Sequence, residues 1–296
     1  QHRHFISKIW LSNTSLFVQQ HAFPIEYTKD AWAILNPIEQ SIKSKIEKNG
    51  IPLKDWNLSI NYGIKTGCNE AFIISGEKRA ELIEQDPKSA EIIRPILRGR
   101  DIKRYGYDFA DLWLINIECG FTNKYRGNVA PEDFIKTTFP AIYDHFMTVA
   151  NQVTRGRGLI GRDDQGDYWW ELRSCAYTND FSKQKIMYSE IVQTPRFFLD
   201  NDGKYFPEAT TFILTGEMLE FLLMALHSKV LTYAFKSFYA GGGLGENGYR
   251  YKKAFLEKLP VFIPTKAQNE QCKEWLAKGQ YSAIEKVLHE AYQFTP

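Results

Sequence analysis

The chain has 296 residues, with 37 lysines and arginines against 35 aspartates and glutamates, which gives a formal net charge of +2. This near balance argues against a histone-like binder, although it leaves room for a local basic face. The four cysteines lie far apart, without a Cys-x-x-Cys or Cys/His spacing, so the sequence predicts neither a zinc site nor a disulfide framework. The longest strongly apolar run, residues 221–226, is far too short for a bilayer span, so we expect a cytoplasmic chain with no membrane partner.

The N-terminal part of the chain begins with a mixed segment that is followed by a helical pattern. Apolar residues recur at helical spacing over residues 30–48, and Pro37 predicts a break near Asn36. Residues 49–50, Asn-Gly, are typical of a helix stop. The next predicted elements are a strand and two helical segments, at residues 71–74, 78–84 and 89–93.

Strands dominate the middle of the chain. A helix is predicted over residues 131–147, where Pro140 could divide it. A turn at residues 201–203 predicts a hairpin between residues 196–200 and 204–206. Apolar runs or alternation predict further strands at residues 111–118, 168–173, 185–192 and 209–215.

The clearest helix covers residues 216–239, where apolar side chains form one wide stripe that is typical of a core helix. Two further helices, over residues 267–276 and 282–292, close the chain. Strands outnumber helices in the middle, and helices dominate the ends. The sequence therefore predicts an α+β fold, in which a mixed or antiparallel sheet has flanking helices and a long core helix.

Four loops carry the residue types that read base edges and bind phosphates. They cover residues 63–69, 98–104, 155–162 and 246–253. A solvated charged face would explain the same residues, and in the last loop the two tyrosines would equally suit a core. The candidate DNA-binding residues are Lys65, Thr66, Asn69, Arg98, Arg100, Lys103, Arg104, Arg155, Arg157, Arg162, Asn247, Arg250, Lys252 and Lys253.

Catalytic signatures are missing from this sequence. It has no Asn/Asp-Pro-Pro-Tyr/Phe loop of an amino-methyltransferase, and the glycine cluster at residues 241–245 lacks the Gly-Lys-Ser/Thr of a P-loop. Asp101 and Lys103 have the Asp-x-Lys form of metal-dependent nucleases, but no Pro-Asp precedes them. We therefore predict no catalytic residue and no metal ligand in this chain.

A series of short motifs follows a fixed order over residues 56–265. It starts with the turn at 63–69, the strand at 71–74 and Arg-Gly-Arg-Asp-Ile-Lys-Arg-Tyr at 98–105, and continues at residues 113–115, 169–173, 185–191, 203–206, 248–251 and 256–260. The series resembles the TaqI-like C-terminal specificity domain. That domain is the target-recognition part of type II restriction-modification enzymes that carry their own adenine methyltransferase. One departure is His227, which stands where the core helix of the family often has asparagine and would have to replace its hydrogen bond.

The resemblance implies a DNA target-recognition domain over residues 56–265, with the helices of residues 266–296 packed on it. Residues 1–55 would join it to an N-terminal methyltransferase domain of the same parent chain. Double-stranded DNA is the expected partner, and no cofactor is expected in this fragment. S-adenosylmethionine, and Mg²⁺ if the parent also cleaves DNA, would bind in the missing catalytic domains. The parent would be a site-specific DNA adenine-N6 methyltransferase, with or without endonuclease activity.

Two alternatives remain open at this stage. One is the specificity region of a phage-defence methyltransferase that does not cleave DNA, which would share the fold. The other is a protein-interaction module, which the near-neutral charge and the 15% aromatic content also fit. Such a module would bind through aromatic hot spots with weak salt dependence, whereas DNA binding weakens steeply as salt rises.

Overall fold

The computed structural model describes residues 35–152, 158–241 and 248–294. Over these residues the chain has the predicted α+β fold, with small antiparallel and mixed sheets. Its α-helices are α1 (Pro37–Asn49), α2 (Asn69–Phe72), α3 (Gly76–Gln85), α4 (Phe121–Tyr125), α5 (Pro131–Thr138), α6 (Pro140–Gln152), α7 (Leu219–His227), α8 (Lys229–Ala234), α9 (Lys253–Leu256), α10 (Lys266–Ala277) and α11 (Ala283–Ala291). Its strands are β1 (Ile51–Pro52), β2 (Leu58–Tyr62), β3 (Ile73–Ser75), β4 (Ile93–Leu97), β5 (Leu112–Ile115), β6 (Lys185–Ser189), β7 (Ile191–Val192), β8 (Phe197–Asp200), β9 (Phe206–Pro207), β10 (Thr211–Gly216), β11 (Tyr249–Arg250) and β12 (Pro260–Val261). None of the helices described is long and apolar enough to cross a membrane.

The central sheet contains β2, β10, β6 and β8 in that order, and each neighbouring pair is antiparallel. Successive side chains of a strand point to opposite faces of the sheet. Ile186 and Tyr188 accordingly lie in one hydrophobic core, whereas Met187 between them lies in a second core. The central sheet is therefore buried on both faces and separates the two cores of the molecule.

The first core is covered by helices from both ends of the chain. It contains most of α7, together with Ile46 of α1 and Leu288 of α11. The second core surrounds another four-stranded sheet, in which β3, β5, β4 and β9 follow one another and β9 runs parallel to β4. Helix α6 contributes Ile142 and Phe146 to this core. The predicted domain limits at residues 55 and 265 stay predictions.

The helix predicted over residues 216–239 consists of three consecutive pieces. Helix α7 ends at His227, and Ser228 has an extended backbone with φ −66° and ψ 154°. The Ser228 hydroxyl accepts the Leu231 N–H at 3.1 Å and so caps α8, after which a π-helix follows at Phe235–Tyr239. Serine is a strong N-cap residue, and the unbroken apolar stripe concealed this interruption.

The hairpin predicted over residues 196–206 is wrong in its second strand. Strand β8 pairs with β6, while Phe206 pairs in parallel with β4. The Asp200 carboxylate fixes the turn between them by accepting two main-chain N–H groups. It also forms a 2.6 Å ion pair with Lys185, whose side chain is fully buried. A buried charge pair across two strands therefore determines this turn.

Smaller predictions are partly confirmed. A helix begins at Pro37, where Asn36 and Glu39 form a capping box, and residues 30–34 of the predicted helix lie outside the described residues. A new helix begins at Pro140, as its position in the predicted helix suggested. Residues 71–72 belong to α2 instead of a strand. The strand predicted at residues 168–173 is wrong, since those residues form turns and one isolated bridge.

Candidate nucleic-acid interface

Several predicted loops emerge from the same end of the central sheet. Strands β2 and β6 end there and β10 begins there, because Tyr62 pairs with Phe212 and Ser189 pairs with Thr211. Other segments are bonded to these strand ends: the Gly99 N–H donates to Thr210 Oγ1, and the Tyr251 N–H donates to the Glu190 carbonyl. We call this region the loop end, and it comprises residues 63–69, 98–104, 190–196, 208–210 and 248–253.

The first loop leaves β2 at Gly63. A Cβ atom on Gly63 would lie 2.0 Å from the Glu208 carbonyl oxygen, so only glycine allows this close approach. Thr66 is buried, and its hydroxyl donates to Asn69 Oδ1 at 2.6 Å, which shapes the turn. Lys65 is exposed, and its ammonium has no hydrogen bond or ion pair within the described ranges. Of the predicted residues in this loop, Lys65 is therefore the cation that is available to a ligand.

The second loop is held by an ion pair inside it. The Arg98 guanidinium donates to both carboxylate oxygens of Asp101, at 2.9 and 2.8 Å. Burial alone would raise the pKa of the Asp101 carboxyl, but the hydrogen bonds from Arg98 outweigh it and lower that pKa. Lys103 pairs with Asp108 at 3.2 Å. Arg98 and Lys103 therefore shape the loop, whereas the Arg100 side chain is exposed and makes no bond to the residues the structure describes.

Arg104 is placed by the buried His227. The His227 Nε2 lies 2.9 Å from the Phe197 carbonyl oxygen, so it carries the proton and donates. That tautomer leaves Nδ1 as an acceptor for Arg104 Nη1, 3.4 Å away. Burial lowers the pKa of His227 to about 3, so the ring is neutral at physiological pH. His227 thus supplies a core hydrogen bond, as expected for the position where the family often has asparagine.

The last loop combines core tyrosines with surface cations. Tyr249 and Tyr251 are both buried, which confirms the core interpretation of this pair. Arg250 lies opposite Ile191 in the short pairing of β11 with β7. The last two predicted residues of this loop are Lys252, which is exposed, and Lys253, which pairs with Glu257 at 3.7 Å. The predicted residue Asn247 lies outside the described residues.

Arg162 is a structural residue and does not face solvent. It is only 5% exposed, and its guanidinium donates to the carbonyl oxygens of Leu159, Trp169 and Glu171. Burial lowers its pKa to about 10. Its side chain packs directly beneath Gly67, where an added Cβ would approach Arg162 Cδ to 2.9 Å. Arg162 therefore supports the first loop from inside. The predicted residues Arg155 and Arg157 lie outside the described residues.

One cluster among the described residues has metal-like spacing. Cys119, Asp167 and Glu171 place ligand atoms within 4.8 Å of one another. The Glu171 oxygens, however, accept main-chain N–H groups from Gly120, Thr122 and Asp167. Glu171 therefore anchors the surrounding loops. Arg173, two residues further on, pairs with Asp164 at 3.0 Å.

A cleft beside the loop end was missed by the sequence analysis. Its volume is about 380 Å³, and it is lined by parts of residues 62–65, 116–119 and 172–181. Lys65 belongs to both the cleft and the loop end. The polar groups in the cleft include Asn116 and Arg173. These segments are far apart in sequence and carry no shared motif, so only the folded chain reveals the cleft.

The family of the chain follows from a comparison with models of known protein families. The model of the TaqI-like C-terminal specificity domain matches residues 94–261, which is more than half of the chain. The chain belongs to this family. The matched region of the specificity domain includes the second loop of the loop end, His227 and strand β11.

Solved structures share the fold of this specificity domain. The type IIL restriction-modification enzyme MmeI, solved in complex with DNA, has a TM-score of 0.53 and 14% identity over 76% of this chain. The type IIG restriction endonuclease BpuSI has a TM-score of 0.51 and 14% identity over 81% of this chain. The specificity domain spans only 28% of the MmeI chain and 27% of the BpuSI chain. No curated protein sequence matches it.

Proposed function

We propose that this specificity domain recognises a short sequence in double-stranded DNA through the loop end of its central sheet. The observation that carries the proposal is the gathering of Lys65, Arg100 and Arg104 at one end of a molecule whose net charge is only +2. Exposed cations grouped on one face neutralise phosphates and release counterions. Support also comes from the family and from the shared fold of MmeI, which was solved in complex with DNA.

Sequence recognition needs two kinds of contact: contacts to phosphates position the loops on the duplex, and contacts to base edges read the sequence. The internal bonds described above suit this task, because Arg98, Arg162 and His227 hold the loops from inside and leave other side chains for DNA. Arg250, Asn69 and Lys252 are our candidates for contacts in the groove, since Arg, Asn and Lys match base edges. The outlying predictions Arg155, Arg157 and Asn247 remain candidates on the basis of their residue types.

We further propose that a methyltransferase domain of the same parent chain acts with this domain. The specificity domain would hold the duplex while that partner flips a target adenine and methylates it from S-adenosylmethionine. A parent enzyme that also cleaves DNA would need Mg²⁺ in a further domain, and a non-cleaving parent would use the specificity domain in the same way. The length of MmeI and BpuSI beyond the matched region supports such additional domains.

The direct test is selection of duplexes from a random library with this chain at low and moderate salt. Enrichment of one short sequence is the expected result. The loop-end variant combines Lys65→Ala, Arg100→Ala and Arg104→Ala and should lose most of the affinity for that sequence. The control variant removes three exposed lysines that lie outside the loop end and should bind normally; it combines Lys54→Ala, Lys183→Ala and Lys266→Ala.

Salt-sensitive binding without enrichment would mean that sequence reading needs the partner domain. Absence of binding at both salt concentrations would overturn the proposal and favour a protein-interaction module. Equal loss of affinity in the loop-end and control variants would show that overall charge, and not the loop end, is responsible.

A further inference from the structure

The cleft beside the loop end has the size of a small-molecule site. Its volume of about 380 Å³ lies within the range of about 300–1,000 Å³ that is typical of ligand pockets. It lies where β2, an edge strand of the central sheet, ends at Tyr62. Three segments that are distant in sequence build its walls, so the cleft is a product of the fold. Among the predicted DNA contacts that the structure describes, only Lys65 lies in it.

The lining of the cleft combines aromatic faces with groups that can read a base. Tyr177 is half-buried in the lining, whereas the Tyr62 ring lies on the other face of β2 and packs against Phe212, with ring centroids 4.8 Å apart. Asn116 donates to the Glu118 carboxylate at 3.2 Å, and both side chains retain further donors or acceptors. Amide and carboxylate groups bind the edges of adenine and cytosine, respectively.

The positive charge of Lys65 completes the set of groups that a nucleotide needs. Its ammonium has no ion pair in the described part of the chain, and it lies on the border shared with the loop end. Arg173, also in the lining, is occupied by its 3.0 Å pair with Asp164. A phosphate beside Lys65 would therefore be continuous with the path of a DNA strand along the loop end.

We propose that this cleft holds a single unstacked nucleotide, with its base beside Tyr177 and Asn116 and its phosphate beside Lys65. A nucleotide outside a duplex is bound by stacking on aromatic side chains and by hydrogen bonds to the base edge. The inference rests on the proposed function for the source of the nucleotide, which is DNA. A soluble mononucleotide has the same chemistry, and the experiment separates the two sources.

The chain contains a natural reporter of occupancy. Cys175 and Cys119 both line the cleft and are partly exposed, whereas Cys68 and Cys272 are buried. Alkylation of Cys175 by iodoacetamide, followed by mass spectrometry, therefore measures access to the cleft. The probes are a perfect duplex, the same duplex with one bulged nucleotide, and a deoxynucleoside monophosphate. The two duplexes are compared at equal saturation of the protein.

The bulged duplex should slow alkylation of Cys175 by about tenfold relative to the perfect duplex, a factor within the range for one base stacked on aromatic side chains. It should also bind more tightly by a similar factor. Protection by the monophosphate alone would support the cleft as a nucleotide site with a soluble source. Equal alkylation rates with the two duplexes, together with no protection by the monophosphate, would overturn the inference.

A cleft-filling variant separates this inference from the proposed function. Ala176 is exposed and lines the cleft, so Ala176→Phe should abolish the preference for the bulged duplex and leave affinity for the perfect duplex unchanged. Ala267→Phe, at an exposed position on α10, is the matched control. Retention of the bulge preference in Ala176→Phe would overturn the nucleotide site. Failure of the unaltered chain to bind any duplex would instead overturn the proposed function.

Discussion

His227 should make the folded protein less stable in mild acid. Burial lowers the pKa of His227 to about 3 from its ordinary value of 6.5, so the folded state keeps the ring neutral. The unfolded chain takes up a proton as the pH falls through about 6.5. The associated stability is therefore complete above that pH and is lost progressively as the pH falls towards about 3. At about pH 4.5 the loss amounts to about 3 kcal/mol, since each of two pH units contributes about 1.4 kcal/mol.

Urea denaturation of the unaltered chain and of His227→Asn at about pH 7 and pH 4.5 measures this effect. Asparagine removes the titrating ring and keeps an amide that can donate to Phe197. Buried His145, whose pKa is also lowered by burial, and the carboxylates are present in both proteins and cancel in the comparison. The unaltered chain should lose about 3 kcal/mol more than the variant between the two pH values. An equal loss in both proteins would refute a neutral, buried His227.

Three further changes test individual contacts. Lys185→Met should lower the free energy of unfolding in urea by about 3–5 kcal/mol, because the buried Asp200 carboxylate loses its ion pair; an unchanged value would contradict that burial. Asp101→Asn should weaken duplex binding by about threefold to tenfold in fluorescence anisotropy, because Arg98 no longer braces the second loop, and full affinity would exclude that role. Gly203→Ala should lower the free energy of unfolding by more than about 1 kcal/mol, since φ is +64° and the new Cβ would lie 2.1 Å from the carbonyl oxygen of Ser182. A neutral effect on urea denaturation would contradict that geometry.

Local signals in the sequence predicted much of the fold. Helix boundaries at Asn36 and Pro140 follow from capping and proline chemistry that operates within a few residues. The failures depend on partners that are distant in sequence. Phe206 pairs with β4, more than a hundred residues earlier, so a local turn signal could not place it. Strong apolar content likewise concealed the Ser228 cap, because both helices that it separates contribute to one core.

The sequence shows which residue types stand in the candidate loops, but it does not show which of their side chains are exposed to solvent. Lys65 and Arg100 face solvent as expected of DNA contacts, whereas Arg162, of the same residue type, is buried and donates to main-chain carbonyls. A sequence pattern does not distinguish these two situations, since both require a long cationic side chain near glycines. The cleft lined by Asn116 and Tyr177 could not be predicted at all, because its walls meet only in the folded chain.

The most direct test of the central claim is the salt dependence of duplex binding by the loop-end and control variants. Each phosphate contact contributes about 0.9 to the slope of log affinity against log salt. We expect the slope of the loop-end variant to be smaller than that of the unaltered chain by about 2–3, because three cations leave the interface. The control variant, which loses the same net charge, should keep the original slope. Equal slopes in all three proteins would contradict DNA recognition through the loop end.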